Sequence, residues 1–108
     1  MSETEIAKAI RDAVNVSGMA KVWRQPVGGR SRRAQMCPEG TPDSIGYLTH
    51  GGRMVAIEVK TAIGKLRPAQ EKWIAKAREA GVLCIVARSP AEAILALVEE
   101  RKERANNG

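Results

Sequence analysis

The spacing of apolar residues predicts three helices. Ser2 followed by Glu5 has the spacing of a capping box, so a first helix is expected over 3–16. A second helix is expected to begin near Pro68 and to close at Gly81, and a third to follow Ser89 as its N-cap. The polar residues 99–108 are expected to form a frayed tail. The apolar residues at helical spacing are Ile6, Ile10, Val14, Trp73, Ile74, Ala77, Ile94, Leu95, Leu97 and Val98.

Four shorter apolar segments, 21–26, 44–50, 53–60 and 82–87, predict strands. The Gly51-Gly52 dipeptide favours a tight hairpin between the second and third of them. In the third strand Val55, Ile57 and Val59 point to one face, which is assigned to the core, whereas Glu58 and Lys60 point to the other face. The fourth segment is continuously apolar and follows a helix, as in a crossover unit. The order αβββαβα therefore predicts an α/β fold with a mixed central sheet flanked by helices.

The length of 108 residues suits one domain, 1–108, with a single core. The only histidine is His50, beside a predicted turn, and the two cysteines are far apart in sequence. These counts exclude histidine-based metal clusters and Ser-His-Asp chemistry, so any catalysis must use carboxylates and amines. Because the sequence has no long apolar run and no signal-like start, the protein is expected to be soluble and cytoplasmic, without a membrane partner or an organic cofactor.

The formal net charge of +6 and the pI near 9.8 favour nucleic acid as the partner. Residues 14–37 contain no acidic side chain, and this basic stretch is either a phosphate-binding segment or a solvated loop. Aromatic residues make up only 3% of the chain, which argues against a base-stacking platform and favours binding to the DNA backbone. The arginines of this stretch that are predicted to contact DNA are Arg24, Arg30, Arg32 and Arg33.

One group of residues has the chemistry that phosphodiester hydrolysis requires. Glu58 and Lys60 lie two residues apart on one strand and therefore share a face. Glu58 can bind a hard cation, while the Lys60 ammonium orients the attacking water or balances the phosphate charge. Asp43, before the preceding strand, is expected to complete the carboxylate set, and the carbonyl of Val59 is a further candidate ligand. The expected cation is Mg²⁺, with Mn²⁺ as a substitute.

Three motifs in this order resemble the PD-(D/E)XK nuclease superfamily: Gly40-Thr41-Pro42-Asp43, Ile57-Glu58-Val59-Lys60, and Gly64-Lys65-Leu66 leading to Gln70. Within that superfamily the chain is most similar to the virus-type replication-repair nuclease, or VRR-NUC, family. The resemblance implies a restriction-endonuclease-like fold and a metal-dependent DNA endonuclease, often a resolving enzyme for four-way (Holliday) or other branched junctions. It also implies a homodimer, as in small phage members, which would act in the cytoplasm of a bacterial host.

Carried over by position, the resemblance assigns metal binding to Asp43 and Glu58 and the catalytic lysine to Lys60. It adds Gln70 from the second helix and Glu5 from the first, with Glu5 acting on the metal directly or indirectly. The chain departs from the family pattern at Arg67, where a Ser or Thr helix cap is frequent. Together with Lys65, that arginine is expected to contact DNA.

Each of these assignments has a simpler structural alternative. Glu58 and Lys60 can form an ordinary surface ion pair, and Asp43 can be a turn residue. Glu5 can serve only in the capping box with Ser2, and Gln70 can be solvated. Two other functions also remain open: a non-catalytic DNA-binding protein with a nuclease fold, and a nicking or flap repair nuclease.

Overall fold

A computed structural model describes residues 1–25 and 38–107 of the chain. In chain order the elements are α1 (Glu3–Ser17), β1 (Ala20–Arg24), β2 (Ser44–Leu48), β3 (Met54–Val59), α2 (Pro68–Glu79), β4 (Leu83–Ala87) and α3 (Pro90–Asn107). This order confirms the predicted αβββαβα arrangement. Within the described part of the chain, none of the helices combines the length and apolar character that a membrane span requires.

The four strands form one mixed sheet in the order β1-β2-β3-β4. β1, β2 and β3 are antiparallel neighbours, whereas β4 runs parallel to β3 after the α2 crossover. The β2–β3 hairpin turns through Gly51 and Gly52, whose φ angles of 87° and 72° are positive. Glycine adopts such angles without steric cost, which explains the dipeptide at this turn.

The sheet has a larger core on one face and a smaller one on the other. The larger core lies beneath α1 and α3 and contains Val55, Ile57 and Val59, as predicted. The smaller core lies beneath α2 and includes Ala56 and the side chains that pack around it. From Ala56 onward the second face of β3 is therefore also buried, including Glu58 and, directly after the strand, Lys60. Because this burial extends to two charged side chains, their environment differs from that of a surface ion pair.

The end of α3 differs from the expectation of a frayed tail beginning at Glu99. The helix continues to Asn107, and Glu100 is only 4% exposed. The Glu100 carboxylate lies 2.6 Å from Nε of Arg104, one turn later in the helix. It also lies 3.8 Å from Nη1 of Arg53, the residue directly before β3. The burial of Glu100 and its contact with Arg53 thus tie the start of the polar segment to the domain, whereas residues 101–107 are exposed.

Candidate active site

The ends of β2 and β3 bring Asp43, Glu58 and Lys60 together. Glu58 is 5% exposed and Lys60 is 7% exposed, and Nζ of Lys60 lies 3.5 Å from Oε1 of Glu58. Ser44 is paired with Ile57 across the antiparallel ladder, so continuing that register by one residue sets Asp43 opposite Glu58. Asp43 remains partly open, with 34% of its side chain exposed. The three groups therefore lie together, with Asp43 the most exposed of them, and we refer to this site as the pocket.

The two carboxylates lie in an environment that disfavours their charged forms. Removal from water and, to a smaller extent, the negative charge of Asp43 raise the pKa of Glu58 to about 7, although the Lys60 ammonium acts in the opposite direction. Burial also raises the pKa of Asp43, although Arg11 partly offsets this effect. Two desolvated carboxylates that repel each other are stabilised by a bound cation, because the cation removes both penalties.

Gln70 links this pocket to the start of α2. The side chain is 5% exposed, and its Nε2 donates a hydrogen bond of 2.8 Å to Oε1 of Glu58. Its Oε1 accepts a hydrogen bond of 2.9 Å from the backbone N–H of Arg67. Gln70 therefore orients Glu58 and satisfies the backbone donor at the helix start. The solvated alternative for Gln70 is wrong, and the second contact offsets the loss of a Ser or Thr cap at Arg67.

The turn that carries Asp43 packs directly against the same helix start. Gly40 has a φ of 86°, and a Cβ placed there would lie 2.2 Å from the carbonyl oxygen of Ala69. Only glycine fits so close to that backbone. The Thr41 hydroxyl and backbone N–H both donate to the Pro38 carbonyl oxygen, at 2.5 and 3.2 Å. This contact fixes the turn, and hence Asp43, relative to α2.

Three site residues were not predicted from the sequence. Nη1 of Arg11 donates a hydrogen bond of 3.0 Å to Oγ of the fully buried Ser44 and lies 3.8 Å from Oδ2 of Asp43. The charge of Glu3 raises the pKa of both Asp43 and Glu58. Glu3 and Arg11 are eight residues apart and therefore lie on one face of α1. This spacing is the feature of the sequence from which their common location could have been predicted.

Glu5 occupies a different position from the one that the resemblance assigned. Its carboxylate is exposed and accepts the backbone N–H of Ser2 at 3.2 Å, while the Ser2 hydroxyl accepts the Glu5 N–H at 3.1 Å. This capping box lowers the pKa of Glu5. The first-helix carboxylate that acts electrostatically on the pocket is therefore Glu3, because Glu5 is turned to the helix cap.

The structure describes three of the six residues that are predicted to contact DNA. Lys65 and Arg67 are exposed on the segment between Lys60 and α2, and Arg24 is exposed at the end of β1. Arg30, Arg32 and Arg33 lie outside the described residues. The segment after Lys60 is held by an unpredicted residue, Arg88, whose Nη1 donates to the carbonyls of Thr61 and Gly64.

The donor set fits a hard divalent cation. Asp43 and Glu58 offer carboxylate oxygens, and Val59, buried at 1% exposure, lies between Glu58 and Lys60 in the chain. Mg²⁺ prefers oxygen ligands and usually retains several waters, so a few protein ligands suffice. No group of three or more His, Cys, Asp and Glu side chains arranged to hold a metal occurs in residues 1–25 and 38–107.

Comparisons with known proteins identify the family and the fold of this domain. The family model of the VRR-NUC domain matches residues 3–91. A solved structure described as "VRR_NUC domain" superposes with a TM-score of 0.65 and 24% identity, covering 90% of this chain and 94% of that one. Another, described as "VRR_NUC domain protein", has a TM-score of 0.64 and 19% identity, covering 90% of this chain and 85% of that one. No curated protein matches the chain significantly. The fold, the three motifs and the matched residues together show that this chain belongs to the VRR-NUC family, a family of nuclease-type DNA-processing domains.

Proposed function

We propose that this domain is a Mg²⁺-dependent DNA endonuclease that hydrolyses phosphodiester bonds at the pocket of Asp43, Glu58 and Lys60. The observation that carries the proposal is the burial of Glu58 and Lys60 side by side, 3.5 Å apart, on the strand face opposite the larger core. Burying two charged groups costs free energy that a surface ion pair would avoid. A joint role of Glu58 and Lys60 in catalysis explains why both charged groups are buried despite this cost.

Each side chain has a distinct role in this proposal. Asp43 and Glu58 would hold the cation, which would supply Lewis-acid activation of water and of the scissile phosphate. Gln70 fixes the orientation of the Glu58 carboxylate through its 2.8 Å hydrogen bond. The Lys60 ammonium orients the attacking water and balances the charge that develops on the phosphate. Arg11 positions Asp43 from the side of α1.

The cation and the Glu58 proton compete for one site. With a pKa of about 7, the Glu58 carboxyl is about half protonated at neutral pH, so cation binding releases a proton. Mg²⁺ is the expected ion because the donors are oxygens, and Mn²⁺ is expected to replace it. The proposal therefore includes metal binding that strengthens as the pH rises through 7.

The proposed substrate is branched DNA, with a four-way junction as the leading case. This part follows from the family resemblance and from the basic charge of the chain. Resolving a junction requires two cuts, and one chain of 108 residues provides one pocket, so we propose a homodimer. A nicking or flap nuclease would use the same pocket on a different DNA structure.

The test is a cleavage panel with a four-way junction, a flap and a linear duplex, each with Mg²⁺, Mn²⁺ or EDTA. Glu58→Gln is expected to abolish cutting while binding in EDTA is retained, and Glu71→Gln, an exposed change on α2, is the matched control. Solution mass measured on the same samples reports the dimer. Absence of metal-dependent cutting of every DNA would favour the non-catalytic binding protein.

A second pair of variants separates the two carboxylates of the first helix. Glu3→Gln is expected to lower metal affinity, because its charge acts on both Asp43 and Glu58. Glu5→Gln is expected to leave metal affinity unchanged, since this side chain serves the helix cap. The opposite pattern would restore the role of Glu5 that the resemblance implies.

A further inference from the structure

Two of the three aromatic residues lie next to each other on an uncovered part of the sheet. Trp23 is 46% exposed and Tyr47 is 43% exposed, with ring centroids 6.2 Å apart at an angle of 63°. Met54, at 41% exposed, and the exposed Lys21 adjoin them across the strands. We call this surface the open face, defined by Lys21, Trp23, Tyr47 and Met54. Exposed large apolar groups gathered in one patch mark an interaction site more often than scattered ones do.

The open face lies on the same side of the sheet as the active-site pocket. The ladder pairs Lys21 with Tyr47 and Tyr47 with Met54, so these residues share a side. Met54 and Glu58 lie four residues apart on β3 and therefore also share it. α2 packs over Ala56 on this side, next to β4, and no helix of residues 1–25 and 38–107 buries Trp23 or Tyr47.

The distance from the open face to the pocket suits a nucleic acid strand. Trp23 is paired with Ile45, which lies two residues after Asp43 on β2. Two residues along a strand and one strand across it separate the Trp23 and Asp43 Cα atoms by about 8 Å. Stacked nucleotides are about 3.4 Å apart along a strand, and unstacked nucleotides are farther apart. A phosphate in the pocket thus places the bases of the adjacent one or two nucleotides near the aromatic pair.

We propose that the open face binds unstacked bases of DNA beside the cleavage site, so that the enzyme selects DNA whose bases can unstack there, as at a branch point or in a single-stranded arm. The inference rests on the proposed nuclease function and specifies its substrate class. Aromatic side chains stack on any base, because every base has a π face, and Lys21 supplies a cation for the backbone. In a closed duplex the bases are already stacked and do not offer these faces.

Charge favours DNA over a second copy of this chain as the occupant. Apart from the pocket itself, the strands of this face carry no acidic residue in the part of the chain that the structure describes. Two copies joined through the open face would bury both Lys21 side chains on a face without an acidic partner among the described strand residues, whereas DNA phosphates would neutralise them. The low aromatic content argued against a stacking surface, but composition does not reveal that β1 and β2 place two of the three aromatics side by side.

The test measures binding in EDTA, where no cleavage occurs, so failure of the nuclease activity and failure of this inference are separate results. Two fluorescein-labelled DNAs of equal length serve as probes: a forked duplex with single-stranded arms and a blunt duplex. Trp23→Ala is expected to weaken fork binding at least about fivefold, the lower end of the effect of removing one base-stacking aromatic. Blunt-duplex binding is expected to change less than about twofold. Trp23→Phe, which keeps a π face, is expected to retain most of the affinity for the fork.

The matched control is Leu95→Ala, which removes an exposed large apolar residue from α3 on the other side of the sheet. It is expected to leave both affinities unchanged. In a Trp73→Phe background Trp23 is the only tryptophan, and its emission is expected to be quenched by the fork and much less by the blunt duplex. Equal weakening of both DNAs by Trp23→Ala would overturn the inference. So would unchanged Trp23 emission at saturating fork, or a Trp23→Ala protein whose dimer dissociates while its DNA preference stays the same.

Discussion

Removal of the Gln70 side chain tests the link between the helix start and the catalytic carboxylate. Gln70→Ala deletes the acceptor for the Arg67 N–H and the donor to Oε1 of Glu58. Loss of a helix cap costs about 0.5–2 kcal/mol, and loss of a hydrogen bond to a charged group costs about 1.5–3 kcal/mol. At pH 8, where Glu58 is charged, we expect the free energy of unfolding of the metal-free protein to fall by about 2–5 kcal/mol.

The assay is urea unfolding in EDTA at pH 8 and at pH 5, followed by circular dichroism. At pH 5 Glu58 is protonated, because its pKa is about 7, so the charged contribution disappears and the expected loss is smaller. Gln70→Glu provides a second comparison, since it keeps an acceptor for Arg67 but places a carboxylate where the amide donor stands 2.8 Å from Glu58. This variant is expected to be strongly destabilised at pH 8, to approach the wild type at pH 5, and to recover stability at pH 8 when Mg²⁺ is added.

Glu71→Ala is the matched control, because Glu71 is the exposed neighbour of Gln70 on the same helix. Its stability is expected to stay within about 0.5 kcal/mol of the wild type. The reasoning fails if Gln70→Ala costs no more than this control at pH 8. It also fails if the loss is the same at both pH values, since the bond to Glu58 would then contribute nothing.

Further predictions concern the pH dependence, the Gly40 turn and the buried Glu100. In EDTA, stability is expected to fall as pH rises from about 4.5 to about 7, because folded Glu58 retains its proton over that window while the unfolded chain loses it; Glu58→Gln should flatten this part of a pH series of urea melts. Gly40→Ala should cost at least about 2 kcal/mol and impair metal binding measured by calorimetry, because a Cβ there meets backbone at 2.2 Å; Gly51→Ala, with a similar φ and open space, should cost about 1 kcal/mol and leave metal binding intact. Glu100→Leu should leave the thermal midpoint unchanged or raise it, because the carboxylate is buried without a well-aligned hydrogen bond in the described part of the chain; a drop of several degrees would show that its ion contacts stabilise the fold.

The sequence predicts those residues of the site that belong to short local motifs. Asp43, Glu58 and Lys60 follow from strand alternation and from the requirement for oxygen ligands beside an amine. The ion pair of 3.5 Å joins Glu58 and Lys60, the ladder places Asp43 opposite Glu58, and the catalytic role of the three residues stays a prediction. Gln70 was assigned only through the family resemblance, and its two hydrogen bonds explain why a glutamine is useful at that position.

Other parts of the site depend on contacts between distant segments. Arg11 meets Ser44 across 33 positions, and Arg88 reaches the Gly64 carbonyl across 24. The resemblance assigned the first-helix role to Glu5, whereas the rotation of α1 about its axis directs the charge of Glu3 toward the pocket. The sequence pattern of a helix shows which of its faces packs against the core. It does not show which residues of other segments lie beside its polar side chains.

The sequence by itself determined the element order, the hairpin glycines and the face of β3 that enters the larger core, because each follows from the periodicity or backbone freedom of neighbouring residues. Tertiary structure alone decided that the opposite face of β3 is buried too, that α3 continues to Asn107, and that Trp23 and Tyr47 meet on an uncovered part of the sheet. These outcomes depend on which segments pack together and on how much of the sheet a helix such as α2 covers. Local patterns constrain each element separately, whereas burial and pairing are properties of the assembled chain.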